Sequence, residues 1–339
     1  KSAVEVIYTI LHSGGKFDSN SGYKTAGGLH GVGASVVNAL SEYLEVTSYK
    51  DGSEYRIRFD KGGSQVGKLE KIGPTNKTGT KVRFLADKTI FETLNYNYQT
   101  IKSRVQESAF LLEGISFHLK DYRNDKQETF VYHDGIKSFI LFLCEDHTMI
   151  GKPMIFKGSS QSIEVDVALQ YTDDYSENTY SYVNLVRTKD GGTHEIGLKT
   201  AITKCINDFA RKTGLLKEKD KNFEGSDVRE GLTMLVSLAI PENLLEFEGQ
   251  TKSKLGSPLA RSAVDSLISE KLTYYLEENR EFGMTLVKKI QKAANARDAA
   301  RKAREQARQG KKGKKLESEL SGKLANAQTK NPKINELYL

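Results

Sequence analysis

The residues 25–33, Thr25-Ala26-Gly27-Gly28-Leu29-His30-Gly31-Val32-Gly33, are the first whose types and spacing suit chemistry. Four glycines in seven residues let the backbone take positive φ and come close to a ligand. Beyond Gly33 the apolar positions Val36, Val37, Leu40 and Leu44 follow helical spacing. A glycine loop opening a helix favours phosphate, because unpaired N–H groups and the helix dipole both attract negative charge. The plainer alternative is a tight turn before a core helix. A second segment, residues 246–256, carries Gln250 and Lys252 in a polar loop. A lysine delivered to a γ-phosphate from another domain stabilises charge in the transition state. Its plainer alternative is a surface lysine.

Other motifs fail on inspection. Residues 62–68 fit G-x-x-x-x-G-K, but Leu69 stands where a magnesium-binding hydroxyl is needed, and the segment reads as a hairpin. The dinucleotide fingerprint fails as well, since Val36 replaces its third glycine. His12, His30, His118, His133, His147 and His194 show neither zinc spacing nor a nucleophile–base pattern. Cys144 and Cys205 stand alone, which excludes a disulfide framework and suits a reducing cytoplasm. No metal site is expected within the chain.

The elements that position these residues follow from periodicity. The 339 residues suffice for two or three domains of ordinary globular, soluble composition, with no apolar run long enough to span a bilayer. Residues 2–11 read as a helix with Ser2 and Glu5 as a capping box and Val4, Ile7 and Leu11 on one face. Residues 14–33 read as a long loop, a common form for lids and binding loops. Strands at 45–50, 54–60, 65–71 and 80–85 form an antiparallel meander with turns at Asp51-Gly52 and Gly62-Gly63. A helix at 99–113, short strands near 115–122 and 129–133, and a helix at 136–144 complete a first domain over 1–145. A second domain, 146–309, holds strands at 163–171, 180–187 and 229–240, a helix at 194–212 and long helices from 258. Residues 310–339 read as a linker into a further, truncated domain.

The formal net charge of +7 is concentrated late in the chain. Between Lys288 and Lys315 a dozen Lys or Arg face only Asp298 and Glu305. Arg297, Arg301, Arg304 and Arg308 recur at helical spacing, so they share one face. That stripe is either a solvated helix face or an electrostatic footprint for nucleic acid.

Four motifs in order resemble one family. Residues 27–41, Gly27-Gly28-Leu29-His30-Gly31-Val32-Gly33-Ala34-Ser35-Val36-Val37-Asn38-Ala39-Leu40-Ser41, resemble the ATP-lid motif of bacterial type II topoisomerase ATPase subunits. Thr78-Gly79-Thr80 with Val82 and Phe84 is similar to their last nucleotide-site strand, and Glu248-Gly249-Gln250-Thr251-Lys252 to their transducer loop. Lys323-Leu324 and Glu336-Leu337-Tyr338-Leu339 resemble the run-in to their metal-binding Toprim domain. The family comprises the B subunits of DNA gyrase (GyrB) and of topoisomerase IV (ParE). Residues 55–60 and 255–261 lean towards the latter.

The resemblance implies an α/β (α+β) fold: a gyrase/heat-shock-protein-90-type ATP-binding domain, then a transducer domain (ribosomal S5 domain 2-like) and long C-terminal helices. It implies ATP and Mg²⁺ as cofactors. Leu29, His30, Gly31, Val32 and Gly33 give N–H groups to the triphosphate, flanked by Lys16 and Lys24, with Tyr23 approaching the nucleotide. Thr80 sits near adenine, walled by Ile7, Ile10 and Val82, and Gln250 and Lys252 reach the γ-phosphate. The implied partners are DNA, met by Arg297, Arg301, Arg304 and Arg308, a second copy through the ATPase region, and the A subunit of topoisomerase IV (ParC) in a heterotetramer, without a membrane. The intact enzyme is expected in the bacterial cytoplasm, at the nucleoid, passing one duplex through another. The family's general-base Glu, magnesium-binding Asn and adenine-reading Asp lie in motifs preceding the region that matches Lys1, so this chain alone is expected to bind nucleotide poorly and not to hydrolyse it. The competing readings are the gyrase B subunit with supercoiling activity, a mismatch-repair-type ATPase, and a non-catalytic DNA-binding or dimerisation module.

Overall fold

The computed structural model describes residues 1–13 and 31–313, with side chains through residue 308. The long loop, most of the glycine stretch and the run-in near Lys323 and Glu336 lie outside the described residues.

The chain opens with α1 (Ala3–Thr9), α2 (Gly33–Ala39) and a sheet of β1 (Ser41–Lys50), β2 (Ser53–Asp60), β3 (Gln65–Val66), β4 (Glu70–Pro74) and β5 (Gly79–Ala86). Ser2 caps α1 by accepting from the Glu5 N–H at 3.2 Å, while Glu5 pairs with Lys1 at 3.7 Å instead of closing a box. The expected apolar face differs. Val4 and Tyr8, one turn apart, pack on Leu44, Val46, Ile57 and Phe59, whereas Ile7, Ile10 and Leu11 stay exposed. The expected continuation of α2 to Leu44 also fails, because Leu44 belongs to β1. The inward face of α2 is polar instead: Ser35 and Asn38 are buried, and Asn38 donates to the Tyr8 carbonyl at 3.0 Å.

All pairs in this sheet are antiparallel, in the order β3-β2-β1-β5 with β4 also on β2. It is not a simple meander, since β5 returns to the free edge of β1. Leu44 and Val46 give β1 one apolar face, and a partner on each edge satisfies its backbone.

Next come α3 (Tyr98–Leu111), the hairpin β6 (Phe117–Asp121) and β7 (Lys126–Phe130), and α4 (Ile136–Leu143). The second sheet contains β8 (Met149–Ser160), β9 (Ile163–Thr172), β10 (Asn178–Val183), β11 (Val186–Arg187) and, after α5 (Thr193–Lys212) and α6 (Gly225–Val228), β12 (Leu232–Ala239). Its order is β11-β10-β12-β9-β8, and β10 runs parallel to β12. The chain ends in a small hairpin, β13 (Phe247–Glu248) and β14 (Lys254–Leu255), then α7 (Pro258–Glu278) and α8 (Arg280–Gly313).

Strand alternation divides the second sheet into two faces. Val165, Val167, Leu169 and Met234 join Leu198, Ile202, Val264 and Leu286 from α5, α7 and α8 in the main core. Ala168, Tyr182 and Leu235 face the other way, onto Phe110, Ile136, Phe139 and Ile140. So α4, read from sequence as closing the first domain, packs on the second sheet. Its Phe139 stacks on Phe110 with ring centroids 4.7 Å apart. Among the described residues no helix is long and apolar enough to cross a membrane.

Candidate functional site

Of the expected nucleotide contacts, Lys16, Tyr23, Lys24, Leu29 and His30 lie outside the described residues. Gly31 adopts φ 54°, which glycine takes without the strain a side chain brings. Gly33 opens α2 with no atom within 4 Å of where a Cβ would stand. An α-helix leaves its first N–H groups without intrahelical acceptors, so this end offers donors beside open space.

Strand register places the rest. Val82 lies opposite Val46 and Thr80 opposite Ser48, so both share the sheet face that α1 covers through Val4 and Tyr8. Ile7, Ile10 and Val82 are all exposed on that side. The arrangement is an open apolar wall with one hydroxyl. Among the described residues no group of three or more His, Cys, Asp or Glu is placed to hold an ion.

Gln250 and Lys252 sit at the tip of the β13–β14 hairpin. The Lys252 N–H donates to the Gly249 carbonyl at 3.3 Å, closing a four-residue turn in which Gln250 is exposed. Gly249 and Lys252 take φ 83° and 55° to make that turn. Partial burial pulls the Lys252 ammonium below its ordinary pKa. The hairpin is held from both sides: Glu248 pairs with Lys254 at 2.9 Å, and the Glu246 N–H donates to the buried Ser257 hydroxyl at 2.8 Å.

The four arginines of the basic stripe separate into two kinds. Arg297 turns onto α6: Nε and Nη2 donate to the two carboxylate oxygens of Asp227 at 2.7 and 3.1 Å, and Nη1 meets Glu224 at 2.7 Å. It clamps α8 to α6, and Asp227 is buried beneath it. Arg301, Arg304 and Arg308 are exposed, Arg301 alongside Asp298 at 3.3 Å and Glu305 at 3.9 Å. The sequence did not signal the Asp227 partner, because seventy residues separate the pair.

Sequence reasoning also passed over the residues beneath the hairpin. Ser181, Thr188 and His194 are buried, and Glu195 is largely so. Ser181 donates to Glu195 Oε1 at 2.5 Å and meets the Thr188 hydroxyl at 2.7 Å, which lies 3.2 Å from His194 Nε2. Desolvation pushes the His194 imidazole down to about 4, so it is neutral. The nearest signal was Gly191-Gly192-Thr193, legible as a turn into a helix.

The fold is that of the ATPase regions of DNA gyrase B and topoisomerase IV, as similarity to solved structures shows. Residues 135–306 match the model of the DNA gyrase B family. The chain is similar to the 43K ATPase domain of Thermus thermophilus gyrase B, solved with an aminocoumarin: 38% identity, TM-score 0.71, covering 90% of this chain and 78% of that one. It also resembles the topoisomerase IV ATP-binding domain of Francisella tularensis, solved with a small-molecule inhibitor: 31% identity, TM-score 0.69, covering 87% and 77%. The chain belongs to the DNA gyrase B family. Relatives whose names give them as the B subunit of DNA topoisomerase 4, from Bacillus subtilis and Enterococcus faecalis, are each 58% identical over 339 residues, covering 100% and 99% of this chain and 52% and 49% of their own. The chain thus spans about half the length of the curated relatives it matches.

Proposed function

We propose that this chain is the nucleotide-responsive region of a topoisomerase IV B subunit. In that role ATP binding and hydrolysis drive passage of one DNA duplex through another. The single observation that carries this reading is the 58% identity to proteins of that name over the whole chain. The geometry supports it at both sites. Backbone N–H groups at the start of α2 receive the triphosphate, and Ile7, Ile10, Val82 and Thr80 border the base. Lys252 and Gln250 approach the γ-phosphate from the β13–β14 hairpin, where an ammonium and an amide stabilise charge spreading onto its oxygens. Lys16, Lys24, Tyr23, Leu29 and His30 complete the phosphate contacts. Mg²⁺ enters only as the companion of the triphosphate.

In the same reading Arg301, Arg304 and Arg308 face a captured duplex, and Arg297 holds their helix in place. The assembly contains a second copy and the A subunit of topoisomerase IV and works at the nucleoid in the cytoplasm. The test is calorimetric titration of the full-length protein with a non-hydrolysable ATP analogue and with ADP. Tighter binding of the analogue, lost in Lys252→Ala, is the expected result. No nucleotide binding, alongside DNA binding that depends on the basic helix, would replace this reading with a non-catalytic DNA module.

A further inference from the structure

The buried polar chain beneath the hairpin has one proton arrangement that gives each of its three side chain–side chain contacts a hydrogen. His194 Nε2–H donates to Thr188 Oγ1, Thr188 to Ser181 Oγ, and Ser181 to the Glu195 carboxylate. The other tautomer leaves an Nδ1–H buried with no acceptor, since His194 Nδ1 has no partner among the described residues. It also leaves no proton for the Ser181–Thr188 contact. All four groups are thereby oriented in one direction, ending on a carboxylate that also faces Lys199 at 3.7 Å.

Two sets of bonds connect this polar chain to the hairpin. The turn after Thr188 carries the hairpin directly: the Asp190 N–H donates to the Ser253 carbonyl at 2.9 Å, and the Leu255 N–H to the Gly191 carbonyl at 3.0 Å. Thr193 adds a hydroxyl bond to the Ser257 carbonyl at 2.7 Å. The approach is also sterically tight, because a Cβ on Gly192 would stand 2.4 Å from the Leu255 oxygen. Thr188 and Glu195 bracket this turn, and Ser181 bonds both, accepting from the Thr188 hydroxyl and donating to the Glu195 carboxylate.

We infer that Ser181, Thr188, His194 and Glu195 are positioning residues, which fix the 188–193 turn and through it the placement of Gln250 and Lys252 against a γ-phosphate. This rests on the nucleotide reading above. The hydroxyls and imidazole touch no ligand themselves. Their effect on binding is confined to how well the hairpin distinguishes a triphosphate from a diphosphate.

The experiment compares the affinity ratio of a non-hydrolysable ATP analogue to ADP in the full-length protein. Thr188→Val keeps the β-branched shape and removes the hydroxyl. It is expected to lower the ratio roughly tenfold, about 1.4 kcal/mol, with ADP affinity unchanged, and Thr188→Ser is expected to restore it. In a Gln250→Ala, Lys252→Ala background, Thr188→Val should add nothing. A Thr188→Val ratio equal to wild type, with Lys252→Ala lowering it, overturns the inference and leaves the nucleotide reading standing. A ratio insensitive to Lys252→Ala removes both. Where Thr188→Val does not fold, Glu195→Gln, which weakens the acceptor at the end of the chain, gives the same readings. Faster amide exchange at Asp190 and Leu255, with β9 and β12 unchanged, is the accompanying signature that general destabilisation would not give.

Discussion

At the residue scale, burial decides what each polar group does. His194 is held neutral, at about 4 against an ordinary 6.5. The unfolded chain takes up a proton that the folded one refuses, so this stabilisation is full above pH 6.5 and lost as the pH falls towards 4. The expected slope is about 1.4 kcal/mol per pH unit in that window. Urea unfolding of wild type and His194→Gln across pH 4 to 7 checks it: the variant's acid dependence should be shallower. Arg297 and Arg304 make a second contrast on one helix. Arg297→Ala strands the buried Asp227 carboxylate and should lower the thermal midpoint by several degrees, whereas Arg304→Ala should leave it unchanged. Helical spacing groups the two arginines together, and only a tertiary partner separates them. That is why the stripe was legible in sequence and its division into clamp and free face was not.

At the element scale, the hairpin and α8 carry the testable consequences. Gly192→Ala places a methyl on the Leu255 backbone at a residue with φ 144°, and should cost more than about 2 kcal/mol in denaturant unfolding. Changing Arg301, Arg304 and Arg308 to Glu should flatten the salt dependence of DNA affinity by about 0.9 in the log–log slope for each phosphate no longer neutralised. Element identity was largely readable where a pattern stayed regular: β2, α5 and α7 follow from alternation or helical spacing. It was not readable where a strand was interrupted. The Gly151-Lys152-Pro153 step and the register shift between Ile150 and Met154 hid β8. Nor does local pattern reveal pairing, so the return of β5 to β1 and the docking of α4 on the second sheet were both missed. The hairpin residues Gln250 and Lys252 were legible from their polar loop and from motif resemblance, while the polar chain beneath them combines residues from β10, the 188–193 turn and α5, a juxtaposition no local window contains.

At the scale of the whole molecule, stability is unevenly distributed. The first sheet has a core of Leu44, Val46, Ile57 and Phe59, and β5 is exposed along most of its length. The second sheet is covered on both faces, by α5, α7 and α8 on one side and α3 and α4 on the other. Amides of β1, β2 and β5 should therefore exchange faster than those of β9 and β12, a difference that hydrogen-exchange mass spectrometry reads directly. Bound ATP analogue should narrow it by protecting the first group.

The tight packing of α5 on α7 and α8 has a mechanical meaning. Gly197 lies against the Arg261 backbone near one end of α5, and Gly283 lies against Phe209 near the other. These glycine seats set how closely α5 approaches α7 at one end and α8 at the other, since a side chain at either would meet its neighbour at 2.4 to 2.6 Å. The 34 residues of α8 form an arm of about 50 Å, on which a tilt of about 5° sweeps the far end through about 4 Å. A tilt that small at the seats would reach the basic tip as a shift of about a side chain's width.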